Sequence, residues 1–312
     1  MPGFLAALGT LVALSDPSRD DAPRLGWLRV GGQWTAFIAG LPDGVERNSL
    51  PEWLAERLKS LAENPAVRFA KDLAVSGEQF RYQALQAARA ATLSERSHAD
   101  FLAAFGCDVV VDKKGLLRDT SFRTMSGAGN QHFLESMRKL AELTTARDLE
   151  HALFEPWAYT DELPSMRWDA RDDRRYALRW KNPSNDPGRT VRGANRLAVE
   201  ALRLLPTAPV GRGIATTGFR RVKRETHFTW PIWEAPLSAD AVRSLMGMAA
   251  AELAGEVGER NVAQLQARGV RELFRSTRRT AGKFVVFTPP VPATVSSGVE
   301  EHDEVASQLR GG

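Results

Sequence analysis

Residues 24–38 read RLGWLRVGGQWTAFI, and this stretch indicates the fold class more clearly than any other. Two apolar runs flank the adjacent glycines Gly31 and Gly32. Two neighbouring glycines adopt the positive φ angles of a tight primed turn without steric cost, so the stretch predicts an antiparallel β-hairpin.

Helical patterns lie on both sides of this hairpin. We predict helices over residues 2–13, 51–61, 78–93, 97–105, 132–143, 146–154, 193–205, 239–253, 260–268 and 270–278. Strands are predicted over 109–111, 174–180, 219–233 and 283–288, with 109–111 buried, 219–233 broken at Pro231 and 206–218 left as a loop. In the predicted helix 193–205, Arg196, Glu200 and Arg203 are expected on the outer face. Strand and helix do not alternate regularly, so we expect an α+β fold of mixed helices and antiparallel hairpins instead of a parallel, doubly wound sheet.

Two lobes and a tail are predicted along the chain. Residues 1–155 form an N-terminal lobe of helices around the hairpin, and residues 156–292 form an arginine-rich α+β lobe. Residues 293–312 are small, polar and acidic in composition, which predicts disorder.

The composition predicts a globular protein with an ordinary core: 43% of the 312 residues are hydrophobic and 26% are charged. Cys107 is the only cysteine, which excludes disulfides within the chain and zinc sites built on thiolates. The apolar stretch 4–14 lacks a preceding basic segment, and no stretch has the length of a membrane span. We therefore predict a cytoplasmic protein without a membrane partner.

Basic residues are concentrated in one part of the chain. Between Arg167 and Arg224 there are 15 arginines and lysines against 5 acidic residues, a surplus of +10. The whole chain has a net charge of +4, so the remaining residues sum to −6. Such segregation is typical of a surface for polyanions, whereas the alternative is a solvated surface in a chain that prefers arginine throughout. The predicted nucleic-acid-binding residues are Arg174, Arg175, Arg179, Lys181, Arg189, Arg192, Arg196, Arg212, Arg220, Arg221, Lys223 and Arg224.

Aromatic residues are interleaved with these arginines. They could stack on the bases of a single strand, or they could fill the core behind the strands. The residues concerned are Trp168, Tyr176, Trp180, Phe219, Phe228, Trp230 and Trp233.

A glycine-rich segment before the predicted helix 132–143 could present backbone N–H groups to a phosphate. Arg123 and Arg138 lie nearby in the sequence, but the lysine and hydroxyl residue of a P-loop are missing. The alternative is a turn that permits close packing. The residues of this possible phosphate-binding loop are Ser126, Gly127, Gly129 and Asn130.

Catalytic and metal-binding motifs are not evident. The histidines have no partner at metal-ligand spacing, and the acidic cluster Asp169, Asp172 and Asp173 is better explained as the entry to a strand. We predict no catalytic residue, no metal and no cofactor. His227 is the best single candidate if the chain is instead a histidine-based ribonuclease, although a structural role also accounts for it.

Three stretches resemble one protein family. They are residues 172–180 (DDRRYALRW), residues 193–202 (GANRLAVEAL) followed by LPTAP at 205–209, and residues 126–131 (SGAGNQ) leading into Phe133 and Leu134. Together they resemble the large-subunit-like family of the subtype I-G (formerly I-U) CRISPR effector complex, over about Phe4 to Phe287. None of these motifs is catalytic.

The resemblance implies a non-catalytic subunit of a Cascade-like antiviral ribonucleoprotein. Its implied partners are CRISPR RNA, target DNA with its protospacer-adjacent motif, the backbone subunits and a separate helicase-nuclease. In such complexes base pairing reads the sequence, while protein contacts read a short motif and the shape of the backbone. Two alternatives stay open: a metal-independent CRISPR-RNA processing endoribonuclease that uses His227 or His132, and a protein–protein adaptor.

Overall fold

The computed structural model describes residues 1–16, 22–92, 95–125, 127, 132–162, 164–172, 189–252, 259–281 and 284–293. Its helices are α1 (Pro2–Leu14), α2 (Leu50–Lys59), α3 (Pro65–Arg68), α4 (Gly77–Ala90), α5 (Ser97–Phe105), α6 (Phe133–Leu143), α7 (Ala146–Phe154), α8 (Arg192–Glu200), α9 (Ala239–Glu252) and α10 (Glu259–Ala267). Its strands are β1 (Arg24–Val30), β2 (Gln33–Ala39), β3 (Gly106–Val111), β4 (Leu117–Asp119), β5 (Asp161–Glu162), β6 (Arg189–Thr190), β7 (Thr207–Val210), β8 (Gly213–Thr216), β9 (Phe219–Val222), β10 (Glu225–Trp233), β11 (Val270–Ala281), β12 (Phe284–Phe287) and β13 (Val291–Pro292).

The predicted α+β class is confirmed. All strand pairs between the described elements are antiparallel. The hairpin of β1 and β2 has the expected turn, because Gly31 and Gly32 have φ angles of 56° and 80°. The predicted strand 174–180 and the segment 294–312 lie outside the described residues.

Helix α1 lies at the centre of the molecule. Its residues Leu5, Leu8 and Leu11 are fully buried. Gly9 faces α8 so closely that a Cβ atom added there would lie 1.7 Å from the carbonyl oxygen of Leu197. The two helices therefore cross at backbone contact, which only glycine allows.

The core joins the two predicted lobes. Its larger cluster of buried residues runs from Met1 to Phe287, and a smaller one combines α1 and α2 with Leu149 and α8. Both clusters draw residues from each side of residue 156, so the predicted boundary does not separate two cores.

The main sheet has the strand order β12-β11-β10-β9. Strand β11 is long enough to pair with β10 along one edge and with β12 and then β13 along the other. One face of this sheet contributes Phe228, Trp230 and Phe287 to the core. The opposite face carries the alternate residues, among them His227 and Arg275.

The predicted helix 270–278 is wrong, because these residues belong to strand β11. The apolar residues at 270, 273 and 274 fit a helical spacing, but a segment this short fits more than one period. Pairing on both edges of the strand decides the outcome. Gly269, with a φ angle of 87°, separates the strand from α10.

The predicted loop 206–218 is also wrong, since it contains the hairpin of β7 and β8 with Gly211 in its turn. The break in 219–233 falls at Lys223, which has a φ angle of 54°, and not at Pro231. Strand β9 pairs with β10 only as far as Phe228, so Pro231 lies where β10 has β11 as its one partner. A proline without an N–H group is tolerated at such an edge.

Two predictions of burial are corrected. The strand predicted at 109–111 is not buried, because Val109 is 64% exposed and Val110 alone of the three valines is buried. Helix α8, in contrast, is buried almost throughout, including Arg196 and Glu200, which are predicted on an outer face. Arg203 follows the helix and is partly exposed. The buried surface follows from the position of α8 between α1 and α7.

Candidate nucleic-acid interface

The predicted nucleic-acid-binding residues fall into separate parts of the molecule. Arg174, Arg175, Arg179 and Lys181 lie outside the described residues. The other eight lie on strand β6, helix α8, the turn between β7 and β8, and the hairpin of β9 and β10. The structure therefore does not bring all of them onto one surface.

Three of these arginines are held by the protein itself. Arg189 donates to the carbonyl oxygen of Thr160 at 2.7 Å, and Arg192 lies 3.6 Å from Asp148. Arg196 is 0% exposed, and its Nη2 donates to Glu200 Oε1 at 2.8 Å. The prediction that Arg196 contacts nucleic acid is therefore wrong, because its guanidinium lies inside the core.

The basic residues of the hairpin formed by β9 and β10 are arranged differently. Arg221, Lys223 and Arg224 are exposed, and Arg220 is half-buried on the opposite face of β9 from Arg221. Lys223 and Arg224 form the turn between the strands. Arg212 is exposed at the turn of the neighbouring hairpin of β7 and β8.

Strand β11 adds arginines that lie outside the basic segment 167–224 and are not among the predicted binding residues. Arg275 pairs with Thr229, which places it on the same face as His227, and Arg279 follows four residues later on that face. Leu273, Arg275, Thr277 and Arg279 occupy every second position, which is the spacing of residues on one face of a strand. This spacing is the sequence signal for the face, and a helix prediction for the segment does not use it.

We use the name basic sheet surface for the basic residues at this end of the sheet, which lie on both of its faces because Arg221 faces away from Arg220: Arg220, Arg221, Lys223, Arg224, Arg275 and Arg279. Glu225 is the only acidic residue within 218–229 and 275–281. It lies 3.8 Å from His227 Nε2 and 3.9 Å from Arg279 Nη2, and it is itself half exposed. Positive charge therefore predominates on this edge of the sheet.

A small, partly open pocket of about 10 Å³, which has room for one oxygen atom of a ligand, lies within this surface. Its lining includes Arg220, His227, Thr229 and Arg275. His227 Nδ1 lies 3.0 Å from Thr277 Oγ1, and Arg275 Nε donates to Thr229 Oγ1 at 3.4 Å. Two arginines and a histidine thus share one concave site.

The environment of this pocket disfavours positive charge. Burial lowers the pKa of His227, and Arg275 and Arg220 lower it further against the opposing effect of Glu225. Burial also lowers the pKa of Arg275, with a contribution from Arg220. His227 is therefore a neutral imidazole at neutral pH, placed beside two cations.

The possible phosphate-binding loop has an acidic environment where it is described. Of its four residues the structure describes Gly127, and a Cβ atom added there would lie 3.0 Å from Asp72 Oδ2. Arg123 pairs with Asp72 and with Asp119, and it is mostly buried. A phosphate at Gly127 would meet the Asp72 carboxylate, while Ser126, Gly129 and Asn130 lie outside the described residues.

Arg138, the other arginine considered for that loop, is hydrogen-bonded to the protein backbone instead. Its Nη1 donates to the carbonyl oxygens of Val67 and Ala70. These hydrogen bonds link α6 to the chain around α3, so a structural role accounts for Arg138.

The aromatic residues of the basic segment belong to the core wherever they are described. Trp168, Phe228, Trp230 and Trp233 are buried, and Phe219 packs against the core. Tyr176 and Trp180 lie outside the described residues. Of the two alternatives for these rings, the core role therefore holds for the five described ones.

Other kinds of site find little support in the described part of the chain. No group of three or more histidine, cysteine, aspartate or glutamate side chains there could hold a metal ion. Asp169 accepts from the hydroxyl group of Tyr159 at 2.8 Å and from the backbone N–H of Arg171. Among the described helices, none has the length and apolar character needed to cross a membrane.

Comparison with protein-family models, with curated proteins and with solved structures gives no match to this chain.

Proposed function

We propose that this chain is a non-catalytic nucleic-acid-binding subunit that contacts the phosphodiester backbone through the basic sheet surface. The observation that carries this proposal is the excess of arginine and lysine on β9, on the turn that follows it and on β11, with Glu225 as the one acidic residue within 218–229 and 275–281. Arginine binds phosphate through a planar fork of donors, and such contacts fix position without reading sequence.

The buried aromatic rings determine what kind of contact is expected. Because Phe228, Trp230 and Trp233 fill the core, they cannot stack on bases. Binding through arginine and lysine alone is electrostatic, so it depends strongly on salt and weakly on sequence. This description suits a subunit that holds a duplex or a heteroduplex whose sequence is read by base pairing.

The motif resemblance suggests the biological setting. We infer a cytoplasmic subunit of a CRISPR-RNA-guided interference complex, with target DNA and CRISPR RNA as ligands and with backbone subunits and a helicase-nuclease as partners. The basic sheet surface would supply this subunit's share of a positively charged channel.

The first test is a salt series with a DNA duplex. In the variant with Arg221, Lys223 and Arg224 all changed to glutamine, we expect the slope of log affinity against log salt to fall by roughly two to three, since each lost phosphate contact removes about 0.9. Fluorescence anisotropy with a labelled duplex of arbitrary sequence measures this slope.

The matched control removes the same charge elsewhere. Lys59, Arg68 and Arg147 are exposed residues that pair with Glu56, Glu63 and Glu150, and their change to glutamine also removes three positive charges. We expect this control to keep the wild-type slope. An equal loss in both variants would show that only net charge matters, and absence of binding at low salt would favour the adaptor alternative.

A second candidate function has one specific observation in its favour. His227 is a neutral imidazole beside two arginines, which is suitable for a general base in metal-independent RNA cleavage. His227 would take the proton of the 2′-hydroxyl while the 2′-oxygen bonds to phosphorus. The bond to the 5′-oxygen then breaks, and solvent protonates the leaving oxygen.

This candidate predicts cleavage of CRISPR repeat RNA in the presence of a metal chelator. Changing His227 to alanine should reduce the cleavage rate by about a hundredfold or more, whereas His132→Ala should have no effect because His132 lies beside Asp72, outside this pocket. Gel analysis of labelled RNA measures the rate. Cleavage that survives in His227→Ala would remove this candidate.

A further inference from the structure

We propose that Arg220, Arg275 and His227 form a seat for a single phosphate group of the bound nucleic acid, and that binding there couples to protonation of His227. This inference rests on the proposed function and adds to it the group that is recognised and its dependence on pH.

Strand register brings the three side chains together. His227 on β10 lies opposite Arg220 on β9 and opposite Thr277 on β11, and Thr229 lies opposite Arg275. Residues that pair directly lie on the same face of a sheet, and neighbouring strands are about 4.8 Å apart. All five side chains therefore meet on one face over three adjacent strands.

The charges in this seat are not balanced by a carboxylate at Arg275. In the described part of the chain, the side chain of Arg275 donates to Thr229 Oγ1 and forms no ion pair. Two guanidinium groups that line one partly buried pocket repel each other, and an anion between them would remove this cost. A phosphate oxygen matches the fork of an arginine better than a chloride ion does.

Hydrogen-bond donors around the pocket suit a tetrahedral oxyanion. Arg275 keeps further N–H groups beyond the one directed at Thr229, and His227 Nε2 is not bonded to Thr277. Among the described residues, Glu225 is the acid that contacts this site, at 3.8 Å from His227 Nε2. Because Glu225 is half exposed and also lies 3.9 Å from Arg279, it can turn toward Arg279 when an anion enters.

Protonation follows from the charges that face His227. Glu225 favours the imidazolium, while burial, Arg275 and Arg220 oppose it. A bound phosphate adds negative charge beside the ring and favours the imidazolium form. Since binding then takes up a proton, affinity must increase as the pH falls from the pKa of His227 in the bound state toward its pKa in the free protein, which lies below the ordinary value of 6.5.

The test combines a pH series with two ligands, a short DNA duplex and inorganic phosphate. For Arg275→Gln we expect duplex affinity to fall about tenfold, as for loss of a charged hydrogen bond, and the pH dependence of affinity to disappear. Arg221→Gln is the matched control, because it removes the same charge from the opposite, exposed face of β9. It should lower the salt slope by about one and keep the pH dependence.

Histidine NMR measures the pKa of His227 in the seat directly. The ring signal of His227 is assigned with His227→Gln, and its pKa should rise when the duplex is added. A similar rise with inorganic phosphate at low concentration would show that the seat binds phosphate from any source, whereas a rise with the duplex alone assigns it to the phosphodiester backbone. Both results support the seat, and a second variant, Arg220→Gln, should abolish the rise even if Arg275→Gln fails to fold.

Failure of the seat and failure of the proposed function give different results. If the duplex binds with a steep salt dependence but the His227 pKa does not change and affinity is independent of pH, the seat is rejected while backbone binding stands. If inorganic phosphate raises the His227 pKa but no nucleic acid binds, the seat stands and the proposed function is rejected.

Discussion

Replacing Gly9 with alanine is expected to lower the free energy of unfolding by about 3 kcal/mol or more, a larger effect than alanine normally has in a helix. The added Cβ atom would lie 1.7 Å from the carbonyl oxygen of Leu197 and 2.6 Å from its carbonyl carbon. Because both atoms belong to the backbone of α8, no side-chain rotation relieves the contact. The helices must move apart, which opens the core that they share.

Gly3 provides the control on the same helix. A Cβ atom there would lie 3.8 Å from the nearest neighbouring atom, Trp157 Cη2. Alanine has the higher helix propensity, so Gly3→Ala should be neutral or should stabilise the protein by up to about 1 kcal/mol. Chemical denaturation followed by circular dichroism measures both variants, and similar stabilities for the two would contradict the close crossing of α1 and α8.

Replacing Glu200 with glutamine should lower the free energy of unfolding by about 3 to 5 kcal/mol, because it leaves a buried cation without its counter-charge. Arg196 has no exposed surface, and its Nη2 donates to Glu200 Oε1 and to the carbonyl oxygen of Leu58, each at 2.8 Å. Arg203 approaches the other carboxylate oxygen at 3.3 Å. Thermal and chemical unfolding measure the loss.

The same carboxylate predicts how stability depends on pH. Burial by itself would raise the pKa of Glu200, but Arg196 and Arg203 outweigh it and hold the pKa below its ordinary value of 4.5. A lowered pKa in the folded state means that the stabilisation is fully present above pH 4.5 and is lost as the pH falls toward the folded-state value. In Glu200→Gln this part of the acid dependence should be absent.

Two further variants isolate the cause. Glu150→Gln removes a carboxylate from an exposed pair with Arg147 and should change stability by no more than about 0.5 kcal/mol. The double change Arg196→Met with Glu200→Leu replaces the buried pair by apolar side chains and should recover most of the stability lost in Glu200→Gln. If the double variant were as unstable as the single one, the unpaired charge would not be the reason for the loss.

Much of the local structure could be predicted from the sequence. Gly31 and Gly32 specify the turn between β1 and β2 because the positive φ angles belong to glycine itself, and helices α1, α5 and α7 lie where their apolar spacing places them. Each of these features depends on neighbours in the chain, so no distant contact is needed to predict it. The concentration of arginine within 167–224 is likewise a property of the sequence alone.

Only the tertiary structure decided which arginines of the chain can contact a ligand. Arg196 is buried because α8 packs between α1 and α7, and Arg275 joins Arg220 and His227 because β11 pairs with β10. In both cases the deciding partner lies tens of residues away or further. The periodicity of apolar residues in a short stretch of sequence gives no information about such a distant partner. The sequence therefore determined the charge of this protein, and the fold determined where that charge is exposed.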